Sequence, residues 1–233
     1  MLVEQAVFTS ARSRKSQGYH LVAASQGLDE NALRALIKWG PSHASLTSSA
    51  ANAESFNYHA LTDNWQAVSR TVYGGPEYSR RGGLQVFTHY LLLRTEQWAG
   101  YDNNPMALAR TAQLLGHLRL HVVTHDVLPQ VELPDTAISV GTRAVSPLSI
   151  PLQEILQILR LQDRLALIGC PDPAAAVGLL IREFPHNERL RLTFTTGLKL
   201  SIDREFRLLF ASQADTQLNV QLKSQGIDSV LCA

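Results

Sequence analysis

Residues 71–90 read TVYGGPEYSRRGGLQVFTHY, and this stretch sets two glycine pairs between two runs of aromatic and β-branched residues. Such runs are typical of β-strands, and glycine adopts the backbone angles that a sharp reversal of the chain requires. The pattern therefore predicts strands over 65–74 and 84–94, joined as an antiparallel hairpin. This hairpin constrains the fold more than any other feature of the sequence.

The first half of the chain continues in the same style. Further short strand-like runs lie at 4–11, 18–25 and 55–61. Apolar residues at helical spacing predict a helix over 28–40, with Asp29 as its cap, and a second helix over 104–116, with Asn104 as its cap. We therefore predict a β-rich lobe with a mainly antiparallel sheet over residues 1–130.

The second half changes character. Prolines and weak periodicity predict a connector over 131–151. Beyond it, we predict a strand over 164–169, a helix over 172–184 and a strand over 189–197, an order that indicates a βαβ-like unit in a smaller α/β lobe over 152–212. Residues 213–233 are polar, and we expect them to form a loosely held tail. The predicted fold class is α/β (or α+β), with the antiparallel lobe preceding the α/β lobe.

Composition and charge narrow the functional classes. The chain has 233 residues, 45% of them apolar and 18% charged, with a formal net charge of +1. This balance gives no global attraction to nucleic acid or to an anionic membrane. We recognise no secretory leader, no long apolar span and no P-loop or dinucleotide-binding motif. The sequence contains only two cysteines. We expect a cytoplasmic protein without a membrane contact, a metal or a cofactor.

The hairpin loop is the first candidate for binding a partner. Arginine presents a planar fork to carboxylates and phosphates, and tyrosine offers rigid contact area. The predicted partner-binding residues are Tyr73, Gly74, Gly75, Tyr78, Arg80, Arg81, Gly82 and Gly83. The alternative is a solvated loop whose arginines keep the sheet edge from pairing with other chains.

Histidines form the second set of candidates. His117, His121 and His125 have helical metal-ligand spacing, but the alternation of the leucines and valines between them favours a strand, on which they would lie too far apart. His59 and His89 lie in predicted strands. If those strands pair suitably, the two imidazoles could form an acid–base pair. The alternative is that each is a structural histidine of its strand, and we assign no catalytic residue beyond these two weak candidates.

Several stretches resemble a known family when taken in order. They are EQAVFTSARSRKSQGYHLVAASQGL, SFNYHAL, SRTVYGGPEYSRRGGLQVFTHYLLL and RLRLTFTTGLKLSIDREFRLLF. Together they are similar to the N-terminal domain of large bacterial GTPase-associated proteins, which occur in multi-gene systems proposed to act in biological conflict or defence. The resemblance implies a non-catalytic recognition or adaptor module that works beside a GTPase and other partners.

The resemblance also points to individual positions without assigning them a catalytic role. They are Tyr19, Ser25, Gly27, Tyr58, Arg70, Gly82, Gly83, His89, Gly197 and Arg207. The larger proteins continue into further regions, whereas this sequence ends at Ala233. We therefore expect either a stand-alone version of the domain or an excised domain.

Three functional hypotheses follow. The first is an adaptor that binds a protein partner, such as a GTPase or another component of a conflict system, through the hairpin. The second is a hydrolase-type enzyme that uses His59 and His89. The third is contact with nucleic acid through basic side chains of two loops, which would have to lie on one face. These basic residues are Arg12, Arg14, Lys15, Arg80 and Arg81.

Overall fold

A computed structural model describes residues 1–12, 17–77, 83–138 and 148–232. The strands in chain order are β1 (Leu2–Arg12), β2 (Gln17–Ser25), β3 (Glu54–Ala60), β4 (Trp65–Pro76), β5 (Leu84–Arg94), β6 (Val127–Leu128), β7 (Val131–Glu132), β8 (Leu165–Ile168), β9 (Phe194–Thr195), β10 (Leu208–Ala211) and β11 (Asp228–Leu231). The α-helices are α1 (Glu30–Trp39), α2 (Pro105–Leu114), α3 (Leu152–Leu161), α4 (Pro173–Glu183) and α5 (Thr216–Ser224). Two 3₁₀ helices span Thr95–Tyr101 and Arg189–Arg191.

Within the described residues, all strands belong to one mixed sheet in the order β11-β8-β10-β9-β3-β4-β5-β1-β2-β6, and β7 pairs with β1. Strands β3, β4, β5, β1 and β2 pair antiparallel, whereas β11, β8, β10 and β9 pair parallel. The two halves meet where β3 pairs antiparallel with β9. The predicted mixture of α and β structure around a mainly antiparallel sheet is confirmed.

Helices cover both faces of this sheet. On one face, α2, α3 and α4 bury apolar side chains against strands of both halves, including Tyr58, Leu91 and Leu167. On the other face, α1 packs over the antiparallel half and α5 over the parallel half. We call these the α2–α4 face and the α1/α5 face. Because successive side chains of a strand point to opposite faces, each strand residue can be assigned to one of the two.

The predicted helix starts at Asp29 and Asn104 are confirmed. The Asp29 carboxylate accepts a hydrogen bond from the Ala32 amide at 2.9 Å, and the Asn104 side chain accepts one from the Met106 amide at 3.0 Å. These contacts satisfy amide groups that have no partner within the first turn of a helix. Local sequence was therefore sufficient to place the beginnings of α1 and α2.

Two predicted strands were wrong in part. The alternating run after α2 is not a strand, because Leu118 has φ of +53°, outside the extended region, and residues 117–126 cross the sheet instead. In the predicted strand over 189–197, only Phe194–Thr195 is strand. Alternation of apolar residues indicates which side chains are suited to burial. It does not show that a neighbouring strand is present for the segment to pair with.

The C-terminal residues were expected to form a loose polar tail, yet they contain α5 and β11. The Asp215 carboxylate accepts a hydrogen bond from the Leu218 amide at 2.6 Å and caps α5. Strand β11 pairs parallel with β8, and β8 also pairs parallel with β10. The expectation failed because only a few apolar residues of this segment are buried, among them Leu222 and Ile227.

A network of buried polar side chains lies at the junction of the two halves, on the α1/α5 face. The Asn57 carbonyl oxygen accepts hydrogen bonds from Ser55 and Thr195, both at 2.7 Å. Its amide nitrogen donates to the hydroxyls of Ser69 and Thr71, both at 3.2 Å. Asn57 is 2% exposed, so each of these bonds is shielded from water. One side chain thus links β3, β4 and β9.

We predict that Asn57→Ala lowers the free energy of unfolding by about 2–4 kcal/mol, because it leaves several buried hydroxyls without their partner. Chemical denaturation monitored by circular dichroism measures the change. Asn64→Ala, at an exposed position in the turn between β3 and β4, is the control and should have little effect. A loss below about 1 kcal/mol for Asn57→Ala would contradict the importance of the network.

Candidate functional site

A groove with a volume of about 780 Å³ lies on the α2–α4 face at the hairpin end of the sheet. Its floor comes from β1, β2 and β5, through residues that include Thr9, His20 and Phe87. Its other wall is the chain between α2 and β6, residues 117–126, which we call the crossing segment. Gly74, at the base of the predicted partner-binding hairpin, also lines the groove.

Arg70 fixes the crossing segment to the sheet. Its guanidinium donates a hydrogen bond to the Leu118 carbonyl oxygen at 3.1 Å and forms an ion pair with Glu54 at 2.7 Å. Further along, the His121 ring packs edge-on against Phe87 and His89, with ring centroids 5.5 and 5.1 Å apart. The segment is therefore held close to the sheet at its start, and the groove opens beyond this point.

The hairpin itself is confirmed, and its glycines explain its shape. Gly75 and Gly83 have φ of +100° and +113°, which other residues rarely adopt. The pairing of β4 with β5 is irregular between Tyr73 and Pro76, and it resumes where Pro76 pairs with Leu84. The predicted partner-binding residues Tyr78, Arg80, Arg81 and Gly82 lie outside the described residues. Gly74 is the hairpin residue that faces the groove.

The groove combines apolar and basic character. On the crossing segment, Leu120 is 48% exposed and Val122 is 85% exposed, although both are apolar. Arg12 lines the groove on β1, and Asp126 lines it at the end of the crossing segment. Exposed apolar side chains beside a concave polar surface are typical of interaction sites.

In a comparison with protein families, residues 2–134 match the family described as GTPase-associated protein 1, N-terminal domain type 2. This match covers more than half of the sequence. The chain belongs to this family. Neither the curated proteins nor the solved structures that were searched contain a match. Every element of the groove, from β1 to the crossing segment, falls inside the matched residues, so the groove is part of the GTPase-associated protein 1 domain.

The two catalytic candidates, His59 and His89, do not form a pair. His59 is opposite Ala67 in the β3–β4 register, and Ala67 is opposite Leu92 in the β4–β5 register. Leu92 packs on the α1/α5 face, whereas His89 is three residues earlier in β5 and points to the other face. The proposed acid–base pair is therefore wrong, because the pleat separates the two imidazoles by the thickness of the sheet.

Both histidines are buried as structural groups of the domain. The His59 ring stacks on Trp39 with centroids 4.1 Å apart, and neither ring nitrogen has a hydrogen-bond partner. Burial lowers the pKa of His59 to about 3, and the charge of Arg204 acts in the same direction. His89 bonds through Nε2 to the Gln5 side chain at 2.9 Å, and burial lowers its pKa to about 3.

Other positions marked by the resemblance also support the fold. The Tyr19 hydroxyl accepts a hydrogen bond from the Val86 amide at 3.0 Å, and the Ser25 hydroxyl accepts one from the Gln5 amide at 3.0 Å. The Tyr58 hydroxyl donates to the Leu190 carbonyl oxygen at 3.0 Å. These hydrogen bonds connect strands and loops that are far apart in the sequence, so the three hydroxyls stabilise the tertiary structure.

Arg207 and two glycines show the same pattern. The Arg207 guanidinium donates to the carbonyl oxygens of Leu159 and Asp163, which lie at the end of α3 and just after it. A Cβ at Gly197 would lie 2.8 Å from the Glu54 carbonyl oxygen, so neighbouring backbone passes too close for a side chain there. A Cβ at Gly27 would meet the end of the Glu4 side chain.

The sequence pointed to only some of the residues that form the groove, among them Arg12, Gly74 and His121. His20, Gln85 and Val122 line it and were not singled out, because they come together only when the crossing segment folds over β1, β2 and β5. The signal available in the sequence was the alternation of Leu118, Leu120 and Val122, which was assigned to a strand. Within the described residues, no cluster of side chains could hold a metal, and no helix is long and apolar enough to cross a membrane.

We predict that the domain loses stability as the pH falls below about 6.5, because unfolded histidine binds a proton that native His59 and His89 exclude. Stability is full above this pH and falls progressively toward the native pKa of about 3. His59→Phe, which keeps a ring against Trp39, should remove about 2 kcal/mol of the loss between pH 7 and 4.5.

Urea denaturation at the two pH values measures this effect. His125→Phe changes an exposed histidine and is the matched control, for which we expect the wild-type dependence on pH. If His59→Phe shows the same loss between pH 7 and 4.5 as the wild type, the native imidazole of His59 takes up its proton without penalty, and the assignment is wrong.

Proposed function

We propose that this chain is a non-catalytic recognition module, or adaptor, of a bacterial conflict (defence) system and that it acts in the cytoplasm. Its ligand is a protein partner, and a GTPase of the same system is the first candidate. Membership of a GTPase-associated family supports the choice of this candidate. The partner binds at the groove and at the adjoining hairpin, residues 73–83.

The observation that carries this proposal is the groove on the family-matched domain. Its wall exposes the apolar side chains of Leu120 and Val122 beside a polar floor, and such a surface supports contact with a protein partner. Gly74, near the start of the hairpin, lines the groove, and the sequence of the same hairpin includes Arg80 and Arg81. Arginine and tyrosine are enriched in such contact surfaces.

The hydrolase alternative is less well supported. It required His59 and His89 to converge on one substrate, and they point to opposite faces of the sheet. The nucleic-acid alternative rests on basic loop residues, of which Arg12 lines the groove and the other four lie outside the described residues. A net charge of +1 gives it no general electrostatic support.

Affinity capture with the tagged full chain from its native host tests the proposal, with bound protein and nucleic acid both identified. We expect the wild-type chain to recover a GTPase or another specific protein. The variants Val122→Glu and Arg80→Ala/Arg81→Ala should lose it, because the first places a charge on the apolar wall and the second removes the loop cations.

Val220→Glu is the matched control, since it introduces the same charge at an exposed valine on α5, far along the sequence from the groove. It should recover the partner as the wild type does. Equal recovery by all four proteins would show that neither the groove nor the hairpin binds the partner. Recovery of nucleic acid that falls steeply with added salt would favour the third hypothesis instead.

A further inference from the structure

The parallel strands of the second half end together at a crevice. Strands β8, β10 and β9 are parallel neighbours, so their carboxyl ends lie at the same edge of the sheet. A cavity of about 220 Å³ lies at this edge, between the strand ends and the chain that connects α1 to β3. Each of the three strands is followed by a residue that lines the cavity, and these residues are Cys170, Ser212 and Thr196.

The connections of the strands produce this crevice. The chain leaves β8 for α4 on the α2–α4 face, whereas it leaves the neighbouring β10 for α5 on the α1/α5 face. The two connecting loops therefore separate at adjacent strand ends. Open α/β sheets characteristically bind ligands at such a point, outside the carboxyl ends of the strands. A second cavity of about 440 Å³ adjoins the first, since Thr47, Ala211 and Ser212 line both.

Hydroxyl groups of the lining retain hydrogen-bonding capacity. The Thr196 hydroxyl accepts a hydrogen bond from the Phe56 amide at 2.8 Å, so it can still donate its own hydrogen. The Thr47 hydroxyl donates to the Gly197 carbonyl oxygen at 3.2 Å, so its oxygen can still accept. Ser212 adds an exposed hydroxyl. The crevice therefore offers donors and acceptors together, which is what the hydroxyl groups of a ligand require.

The charges around the crevice favour a neutral ligand. Among the described residues that line the smaller cavity, only Glu54 is charged, and it forms an ion pair with Arg70 at 2.7 Å. In the larger cavity, Lys199 and Asp215 carry opposite charges. The helices that begin beside the crevice already have carboxylate caps, Asp172 on α4 and Asp215 on α5. These carboxylates occupy the amides that a phosphate would use and repel it.

The crevice also lies at the junction of the two halves of the sheet. Residues 46–54 of the lining are inside the family match, whereas Thr196 and Ser212 are beyond it. Glu54 begins β3 and Thr196 follows β9, and these two strands join the halves. A ligand in the crevice therefore contacts both halves, and by binding only the folded state it stabilises their junction.

We propose that this crevice binds a small, uncharged ligand rich in hydroxyl groups, such as a monosaccharide or the ribose of a nucleoside. The site is separate from the groove, so the proposal goes beyond the adaptor function and does not depend on it. The ligand accepts a hydrogen bond from Thr196 and donates one to Thr47, and the adjoining larger cavity accommodates the rest of a longer molecule.

The probes are D-glucose, D-ribose and adenosine, each titrated to millimolar concentration into the ¹⁵N-labelled full chain and followed by NMR. We expect at least one of them to cause saturable shifts of amide signals within residues 46–54 and 196–200. If adenosine binds, 2′,3′-dideoxyadenosine should bind about tenfold more weakly, because it lacks the ribose hydroxyls. Inorganic phosphate is the anionic control and should leave these signals unchanged.

Protein variants locate the site. Ser212→Phe puts a ring at a position that lines both cavities and should weaken binding at least about tenfold. Ser224→Phe makes the same change at an exposed serine at the other end of α5 and should bind as the wild type does. Ser48→Ala removes one lining hydroxyl and should weaken binding about fivefold. Thermal denaturation shows that each variant is folded before affinities are compared.

Four results would overturn the inference. They are the absence of binding by all three probes, shifts that exclude residues 46–54 and 196–200, equal binding by Ser212→Phe and the wild type, and equal binding of adenosine and its dideoxy analogue where adenosine is the probe that binds. Saturable binding of inorganic phosphate at the same amides would also contradict it, since the crevice would then be an anion site. Capture of a protein partner tests the groove independently, so neither outcome decides the other.

Discussion

The pairing of β3 with β9 is the constraint on which the rest of the structure depends. Only Asn57–Thr195 and Tyr58–Phe194 are paired there, yet this contact joins an antiparallel half to a parallel half in one sheet. Such a short ladder has few backbone hydrogen bonds, so side chains must stabilise it. The Asn57 network does so on one face, and Tyr58 packs against Trp98 and Phe194 on the other. Both sets of contacts are buried, which makes the junction rigid.

A rigid sheet is what allows the groove to exist. The crossing segment has little regular structure of its own, and its position follows from the Arg70 hydrogen bond to Leu118 and from the packing of His121 on His89. Arg70 and His89 are neighbours in the β4–β5 register, so one patch of the sheet holds the segment in place. Beyond this patch the segment continues to the edge strand β2, where the Ala24 amide donates a hydrogen bond to the Asp126 carbonyl oxygen at 3.1 Å, and the groove lies between these two anchored ends.

The residues that carry the family resemblance are scattered along the sequence, and their contacts in the structure explain why. Tyr19, Ser25 and Tyr58 form hydrogen bonds with backbone groups in distant parts of the chain, and Gly197 lies where a side chain would clash with neighbouring backbone. The fold requires such residues because buried polar groups need hydrogen-bond partners, and because only glycine fits where two segments of backbone approach closely. The candidate binding surface also includes exposed side chains, such as Val122, whose burial the fold does not require.

The sequence by itself determined the hairpin, the capped starts of α1 and α2, and the mixed α/β class, because glycine, capping residues and apolar periodicity act over a few neighbouring positions. Only the tertiary structure decided which face His59 and His89 occupy, since a strand's register depends on partners far away in the chain. It also decided that the alternating residues 117–123 cross the sheet, and that the polar C-terminal residues add α5 and β11. The groove belongs to this second group, because its floor comes from β1, β2 and β5 and its wall from the later crossing segment, and these parts meet only through packing.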